Sequence, residues 1–317
     1  MMIRIIKILV SVSLISALLW GVDWRDIVAR LQGLDPMLAV ASFVFLSIQY
    51  PVSAWKWRKS LRLHGVEQPY GRLLRVLCIA FFFNNFLPTA IGGDAYRAYR
   101  TIEHSTRPAR AISAVVVERL LGIMALLFLG YLSAIYLLAT GNLVHHDWVV
   151  AGLVAITIGA VLALIAWRLD FSIVRRISRK LASTPKLEPF FDSMRAISRH
   201  RQHLPGLIGL SLLFQVIAIF TISLMFASIG IAGQLAESGF TAAAAGIAGV
   251  LPISINGVGV VEGSFVVAAV EAGLPYSESV LVAICLRGYM ILSSIAFGVL
   301  YALEPKDKGK LSEDRVS

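Results

Sequence analysis

Several charged side chains stand where the surrounding sequence is hydrocarbon. Glu118 and Arg119 are adjacent inside one apolar run, Arg287 lies inside another, Asp94 and Arg97 follow a break in a third, and Glu262 follows a break in a fourth. At about 1.5 Å per helical residue, Glu118, Arg119 and Arg287 would each sit about 12–13 Å deep, near the middle of a core about 30 Å thick. A charge at that depth costs about 2.5–3.5 kcal/mol on insertion scales, so these groups must be paired, hydrated or used. Guanidinium groups suit phosphate; carboxylates balance them or meet a cationic group. Neighbours on a helix point about 100° apart, so Glu118 and Arg119 must reach different partners. Glu262 is available to Arg119 or Arg287, and Arg97 or Arg287 to Glu118. Two readings stay open: a substrate-facing cluster, or a salt-bridge lock between two halves of the fold. They are compatible if internal pairing alternates with binding of a lipid headgroup.

The elements that would hold these residues follow from composition. Of 317 residues, 57% are hydrophobic and 15% charged, against roughly 25% charged in soluble domains. The chain therefore reads as an all-α polytopic membrane protein. Apolar runs near 3–20, 36–55, 111–139, 148–167, 205–229 and 279–302 predict six full transmembrane helices. The first follows Arg4 and Lys7, but it is long for a signal sequence and no small-residue cleavage pattern follows, so a retained helix is expected. Cys78 and Cys285 lie in apolar runs and read as small hydrophobes rather than a redox pair.

The formal charge of +10 is a topology signal. Of the 29 basic residues, two lie at the N-terminus, ten between Lys56 and Arg110, nine between Arg168 and Arg201, and four in the tail. By the positive-inside rule these segments share the cytoplasmic side, and so do both termini. Two further apolar regions, 72–93 and 239–273, must then each enter and leave on one side, from opposite faces. They are predicted to be re-entrant helical hairpins. The expected organisation is one membrane domain over 1–317. Half 1 covers about 1–140, half 2 about 204–303, a basic amphipathic cytoplasmic loop spans 168–203, and 304–317 form a cytoplasmic tail.

The two breaks echo each other. "LPTAIGG" (Leu87 to Gly93) and "LPISING" (Leu251 to Gly257) match at four of seven positions, with Asp94 and Glu262 following. Gly/Pro-interrupted segments in corresponding places of two halves are the pattern of inverted repeats with a midplane site. Two membrane turns can also share Pro and Gly without that ancestry. Non-helical backbone in lipid needs partners for its N–H and C=O groups. Asn84, Asn85 and Thr89 can supply them at one break, Ser254 and Asn256 at the other. Pro88, Gly92, Gly93, Pro252, Gly257 and Gly259 would shape the tips, Gly92 and Gly93 through positive φ or close helix approach. Asp94 stands where an N-cap would be, and a tip could hold an anion on its peptide dipoles.

Other signals carry less. Gln49 and Gln215, each alone in an apolar span, suit interhelical hydrogen bonds. "FSIVRRISRKL" (Phe171 to Leu181) is fit to lie on an anionic leaflet, or simply sets topology. "HHD" (His145 to Asp147) lacks a fourth metal ligand. "GVGVVEG" (Gly257 to Gly263) misses the dinucleotide fingerprint and its strand–helix setting, and Gly259 with Gly263 reads as a packing face instead. No nucleophile–base set or Walker sequence is present, so no enzyme activity, cofactor or metal is expected, and no nucleic-acid partner.

"NNFLPTAIGGDAYR", the Glu118–Arg119 pair and "LPISINGVGVVEGSF" resemble the signatures of the lysylphosphatidylglycerol synthase transmembrane-region family of flippase-like integral membrane proteins. The likeness spans almost the whole chain. It implies the half of bacterial aminoacyl-phosphatidylglycerol synthases that moves the modified lipid between leaflets; other relatives are associated with polyprenol-linked glycosylation or hopanoid pathways. The chain ends soon after its last span, so a stand-alone form without the aminoacyl-transfer domain is expected and lysyl transfer is not. The matching positions are Asn85, Pro88, Gly92, Gly93, Asp94, Arg97, Glu118, Arg119, Pro252, Gly257, Gly259 and Glu262.

The resulting expectation is a lipid flippase of a cell inner membrane, with Asn85, Asp94, Arg97, Glu118, Arg119, Asn256, Glu262 and Arg287 lining a polar intramembrane cavity. The arginines would engage phosphate, and the carboxylates would balance charge or meet a cationic headgroup. Its substrate would be a phospholipid, an aminoacylated lipid or a polyprenol-linked lipid. Two rivals remain: a non-catalytic membrane partner of a lipid-modifying or glycosylation complex, and an intramembrane transferase using Asp94 or Glu262. Expected partners are the lipid itself, anionic lipid at the basic loop, and a second copy or a lipid-pathway enzyme.

Overall fold

The computed structural model describes residues 2–86, 92–102, 108–168, 204–231, 234–251 and 253–303. Pro88, Thr89, Pro252, nearly all of the basic loop 168–203 and the tail 304–317 lie outside them. Among the described residues the chain is wholly helical, with eleven α-helices and no strand. In chain order these are α1 (Met2–Trp20), α2 (Trp24–Gln32), α3 (Pro36–Leu63), α4 (Tyr70–Phe86), α5 (Gly92–Ile102), α6 (Pro108–Thr140), α7 (His146–Arg168), α8 (Leu204–Ser228), α9 (Leu235–Val250), α10 (Val260–Glu271) and α11 (Tyr276–Ala302). A short 3-10 turn, Ile255–Gly257, separates α9 from α10.

Four of these helices are long and apolar enough to cross a bilayer: Pro36–Leu63, Arg110–Thr140, Leu204–Ser228 and Tyr276–Ala302. α1 and α7 carry shorter apolar stretches, Leu9–Trp20 and His146–Thr157. Local chemistry sets several helix starts. Asp23 accepts the N–H groups of Arg25 and Asp26 at the head of α2. Asp35 accepts those of Met37 and Leu38 at the head of α3, where Pro36 needs no donor partner.

The third helix departs from the sequence reading. The expected span ended at residue 55, yet α3 continues to Leu63 and buries Lys56, Trp57, Ser60 and Leu61. The spacing of Tyr50, Ala54, Trp57 and Leu61 carries one apolar stripe straight through the basic residues, and this stripe packs on Leu73, Val76 and Leu77 of α4 and Ala114 of α6. Lys56 is therefore inside the protein, away from the cytoplasmic charge with which its position in the sequence groups it.

Both broken segments form pairs of helices folded back on one another. α5 lies so close to α4 that a Cβ on Gly93 would stand 2.1 Å from the Ala80 carbonyl oxygen. Gly93 is helical, and what it supplies is close approach, not positive φ. The α4–α5 pair extends from 70 to 102, beyond the expected 72–93. In the second pair, Gly257 and Gly259 take φ of +73° and +84°, and Asn256, a non-glycine, takes +51°. α9 also seats closely on α6, where a Cβ on Gly130 would fall 2.3 Å from that of Ala243 and one on Gly239 2.2 Å from Ser133 Oγ. Small residues at such seams let helices meet where lipid gives no hydrophobic drive.

Candidate functional site

The charged residues gather in two places joined by asparagines. The larger is a chain of five ionised groups on α3, α5 and α6. Lys56 Nζ lies 3.0 Å from Glu118 Oε1, and Arg97 Nη1 lies 2.8 Å from Glu118 Oε2. Arg97 Nη2 reaches Asp94 Oδ1 at 2.8 Å. Arg119 then grips the same Asp94 with two bonds, Nε to Oδ2 at 3.0 Å and Nη2 to Oδ1 at 2.9 Å. Glu118 thus holds two buried cations, and Asp94 holds two arginines.

The surroundings explain how buried cations are tolerated. The Arg97 guanidinium lies 5.1 Å from the centre of the Trp57 ring, and Lys56 Nζ 5.0 Å from that of Phe214 on α8. Aromatic faces carry negative potential and stabilise a desolvated cation. Gln215, the next residue on α8, donates to the Gly122 carbonyl at 3.1 Å and ties α8 to α6 beside the network. That is the interhelical role expected of it.

Burial grades along the chain of charges. The side chains of Lys56, Arg97 and Glu118 are 4–6% exposed and that of Asp94 19%, while that of Arg119 is 53% exposed. Three cations face two carboxylates, so the network carries one surplus positive charge, and its accessible end is Arg119.

The second place is on α10 and α11. Glu262 pairs with Arg287 Nε, and its other oxygen accepts the Gly259 N–H at 2.7 Å. Glu262 therefore both caps its own helix and balances Arg287. Between the two places stand the breaks themselves. Asn256 Nδ2 donates to Asn85 Oδ1 at 3.2 Å, and Asn85 Nδ2 donates to Ser294 Oγ on α11. Asn84 Oδ1 accepts the Gly93 N–H at 2.8 Å, which supplies a partner to the first turn of α5.

Several expectations are met and others change. Arg97 with Glu118 and Glu262 with Arg287 pair as the sequence allows. Arg119 pairs with Asp94 instead of Glu262, because one residue past Glu118 on α6 the side chain turns towards the head of α5. Asp94 lies in the first turn of α5 and binds arginines, so it is not an N-cap. Ser254 is buried with no hydrogen bond to its hydroxyl among the described residues, while Asn256 reaches across to the other break. Gly259 packs on α1, where a Cβ would meet that of Leu14 at 2.9 Å, but Gly263 faces open space, so the two do not share a packed face. His145 is bound to the Glu271 carboxylate, Nδ1 to Oε2 at 3.1 Å. Lys56 is the member that sequence reasoning missed; the unbroken apolar stripe of α3 through Trp57 and Leu61 is the signal that could have found it.

A cavity of about 1120 Å³ opens between α1, α6, α7, α9 and α10. Its walls are almost wholly apolar, from Gly259 and Val260 at one end to His145 and Tyr276 at the other. None of Asp94, Arg97, Glu118, Arg119, Glu262 and Arg287 lines it. This hydrocarbon-like space is therefore separate from the ion network.

Comparison with known proteins agrees with this architecture. A UPF0104 membrane protein of Methanothermobacter thermautotrophicus is 24% identical over 301 residues, which are 86% of this chain and 87% of the relative. A second from the same organism is 25% identical over 171 residues, 54% of this chain and 48% of the relative. A UPF0104 membrane protein of Methanocaldococcus jannaschii is 25% identical over 138 residues, 43% of this chain and 41% of the relative. The family described as "Lysylphosphatidylglycerol synthase TM region" matches residues 4–298, and this chain, a multi-pass membrane protein, belongs to that family.

Proposed function

We propose that the protein is a lipid flippase without catalytic chemistry, moving a phosphate-bearing lipid between the leaflets of a cell inner membrane. The observation that carries this reading is the surplus positive charge ending at the half-exposed Arg119, among helices apolar enough for a bilayer. A headgroup phosphate supplies the missing negative charge and takes a bidentate bond from a guanidinium. Asp94 holds Arg119 until the phosphate competes for it, so internal pairing and headgroup binding alternate. The apolar cavity beside α10 suits hydrocarbon chains while the headgroup travels separately.

In this proposal α4–α5 and α9–α10 are re-entrant hairpins from opposite faces, six further helices span the bilayer, and both termini are cytoplasmic. The contact between Asn85 and Asn256 supports hairpins that meet near the midplane. The substrate is a phospholipid, an aminoacylated lipid or a polyprenol-linked lipid.

The test is a leaflet assay on vesicles containing the purified protein. The probes are fluorescent phosphatidylglycerol, its lysyl derivative and a polyprenyl phosphate, with reduction by dithionite reading the outer leaflet. Arg119→Gln and Asp94→Asn should abolish scrambling of the true substrate while the protein stays folded. Transport by both variants at the wild-type rate sinks the proposal and favours a non-catalytic partner of a lipid-modifying complex.

A further inference from the structure

α2 divides into three sectors when its nine residues are wound at about 100° per residue. Trp24, Val28 and Leu31 fall within about 40° of one line, Ile27 and Arg30 lie about 60–120° to one side, and Arg25, Asp26, Ala29 and Gln32 occupy the remainder. The contacts follow the same division. Ile27 is buried in an apolar cluster that also holds residues of α8, α10 and α11, and Arg30 is 3.0 Å from Glu278 at the head of α11. The Asp23 N–H donates to Ser277 Oγ at 3.1 Å, so the helix is fastened to α11 at both ends. Trp24, Val28 and Leu31 are instead 57%, 53% and 47% exposed.

Two independent observations say what covers that exposed face. Three residues separate it from α3, whose own apolar stripe Met37, Val40, Val44 and Ile48 is also exposed, on a helix long and apolar enough to span a bilayer. It also lies at a level rich in amphipathic aromatics: Trp20 ends α1 fully exposed, Trp148 stands exposed at the start of α7, and Tyr276 at the start of α11 donates to the Leu18 carbonyl at 2.9 Å. Trp and Tyr collect at the membrane–water boundary, where one end of the ring is dry and the other wet. A short helix with one apolar sector and one charged sector at that level has the form of an interfacial helix.

We propose that α2 is an interfacial anchor. It lies flat in the headgroup region, with Trp24, Val28 and Leu31 towards the acyl chains and Arg25, Asp26, Ala29 and Gln32 towards water. Because Ser277 and Glu278 hold it, the bilayer surface sets the height of α11 and hence of Arg287, about 14 Å further along that helix.

The experiment uses the full chain with Cys78→Ser and Cys285→Ser, a nitroxide on Val28→Cys or Ala29→Cys, and vesicles of phosphatidylcholine and phosphatidylglycerol. The ratio of collisions with oxygen to collisions with a water-soluble nickel chelate should be several-fold higher at residue 28 than at residue 29. Equal ratios show a wet face and overturn the proposal. Shielding of residue 28 from both reagents shows protein cover, such as a second copy of the chain, and overturns it too. A second measurement keeps the native thiols: lipids brominated near the headgroup should quench tryptophan emission, and Trp24→Phe should lower the quenchable fraction. An unchanged fraction argues against the anchor in the same way.

Discussion

The two folded-back helix pairs begin from similar heptapeptides and handle charge in opposite ways. At α4–α5 the acid after the break, Asp94, points away from its own backbone and holds two arginines from α5 and α6. At α9–α10 the acid after the break, Glu262, turns back onto the Gly259 N–H and meets a single arginine. The first pair is consequently part of a network with excess positive charge, and the second is a neutral, self-capped pair. The difference comes from the backbone. The first pair enters α5 through Gly92 and Gly93 in helical conformation, pressed on Ala80. The second enters α10 through Gly259 at positive φ, which leaves an orphan N–H for Glu262 to satisfy. Similar turn sequences therefore need not imply similar sites. In the proposed reading the open, unbalanced pair is the one that meets a headgroup, and the closed pair serves as scaffold.

That contrast can be broken by thermal unfolding of the purified protein in detergent. The largest loss is expected for Glu118→Ala, which strands Lys56 inside the protein and leaves Arg97 with Asp94 alone. Removing one partner of a buried ion pair costs about 3–5 kcal/mol. A loss no larger than that of a surface substitution would mean that water already reaches the network. Gly93→Ala comes next, because its methyl would overlap the Ala80 carbonyl; overpacking of this kind costs about 1–3 kcal/mol. Gly263→Ala is its control and should cost nothing or raise stability by up to about 1 kcal/mol, since that side faces open space and alanine favours a helix over glycine. Glu262→Gln should lose about 1–3 kcal/mol, because the amide oxygen can still accept from Gly259 while Arg287 loses its charge partner. If Glu262→Gln proved as damaging as Glu118→Ala, the distinction between an open network and a closed pair would fail. The smallest effect is expected at Asn256. Asn256→Ala should lose about 0.5–1.5 kcal/mol with its hydrogen bond to Asn85, plus strain at positive φ. Asn256→Gly should be milder in strain, and equal losses would show that φ is not limiting there.

Much of the fold was legible from residue types. Hydrocarbon length and the two Gly/Pro/Asn interruptions located the long helices and the breaks, because a chain in lipid must close its own backbone hydrogen bonds. But α3 runs eight residues past its expected end, α5 nine past that of its pair, and α2 was not anticipated. Glu118, Arg119, Glu262 and Arg287 were conspicuous for the same reason. Lys56 was not, since a lysine at the end of an apolar run looks like an interfacial charge until the stripe through Tyr50, Ala54, Trp57 and Leu61 is followed into α4. Nor could spacing decide whether Arg119 would reach Glu262 or Asp94.

The sequence by itself determined an apolar helical membrane protein, the positions of its two interrupted helices, and the ionised residues that could not be left alone in lipid. The tertiary structure alone decided which acid holds which base, that Lys56 joins them, and that the hydrocarbon-lined space is separate from the ions. Hydrophobicity and backbone closure act along the chain and leave a periodic trace. Ion pairing depends on which helix faces meet, and no spacing within one helix records that.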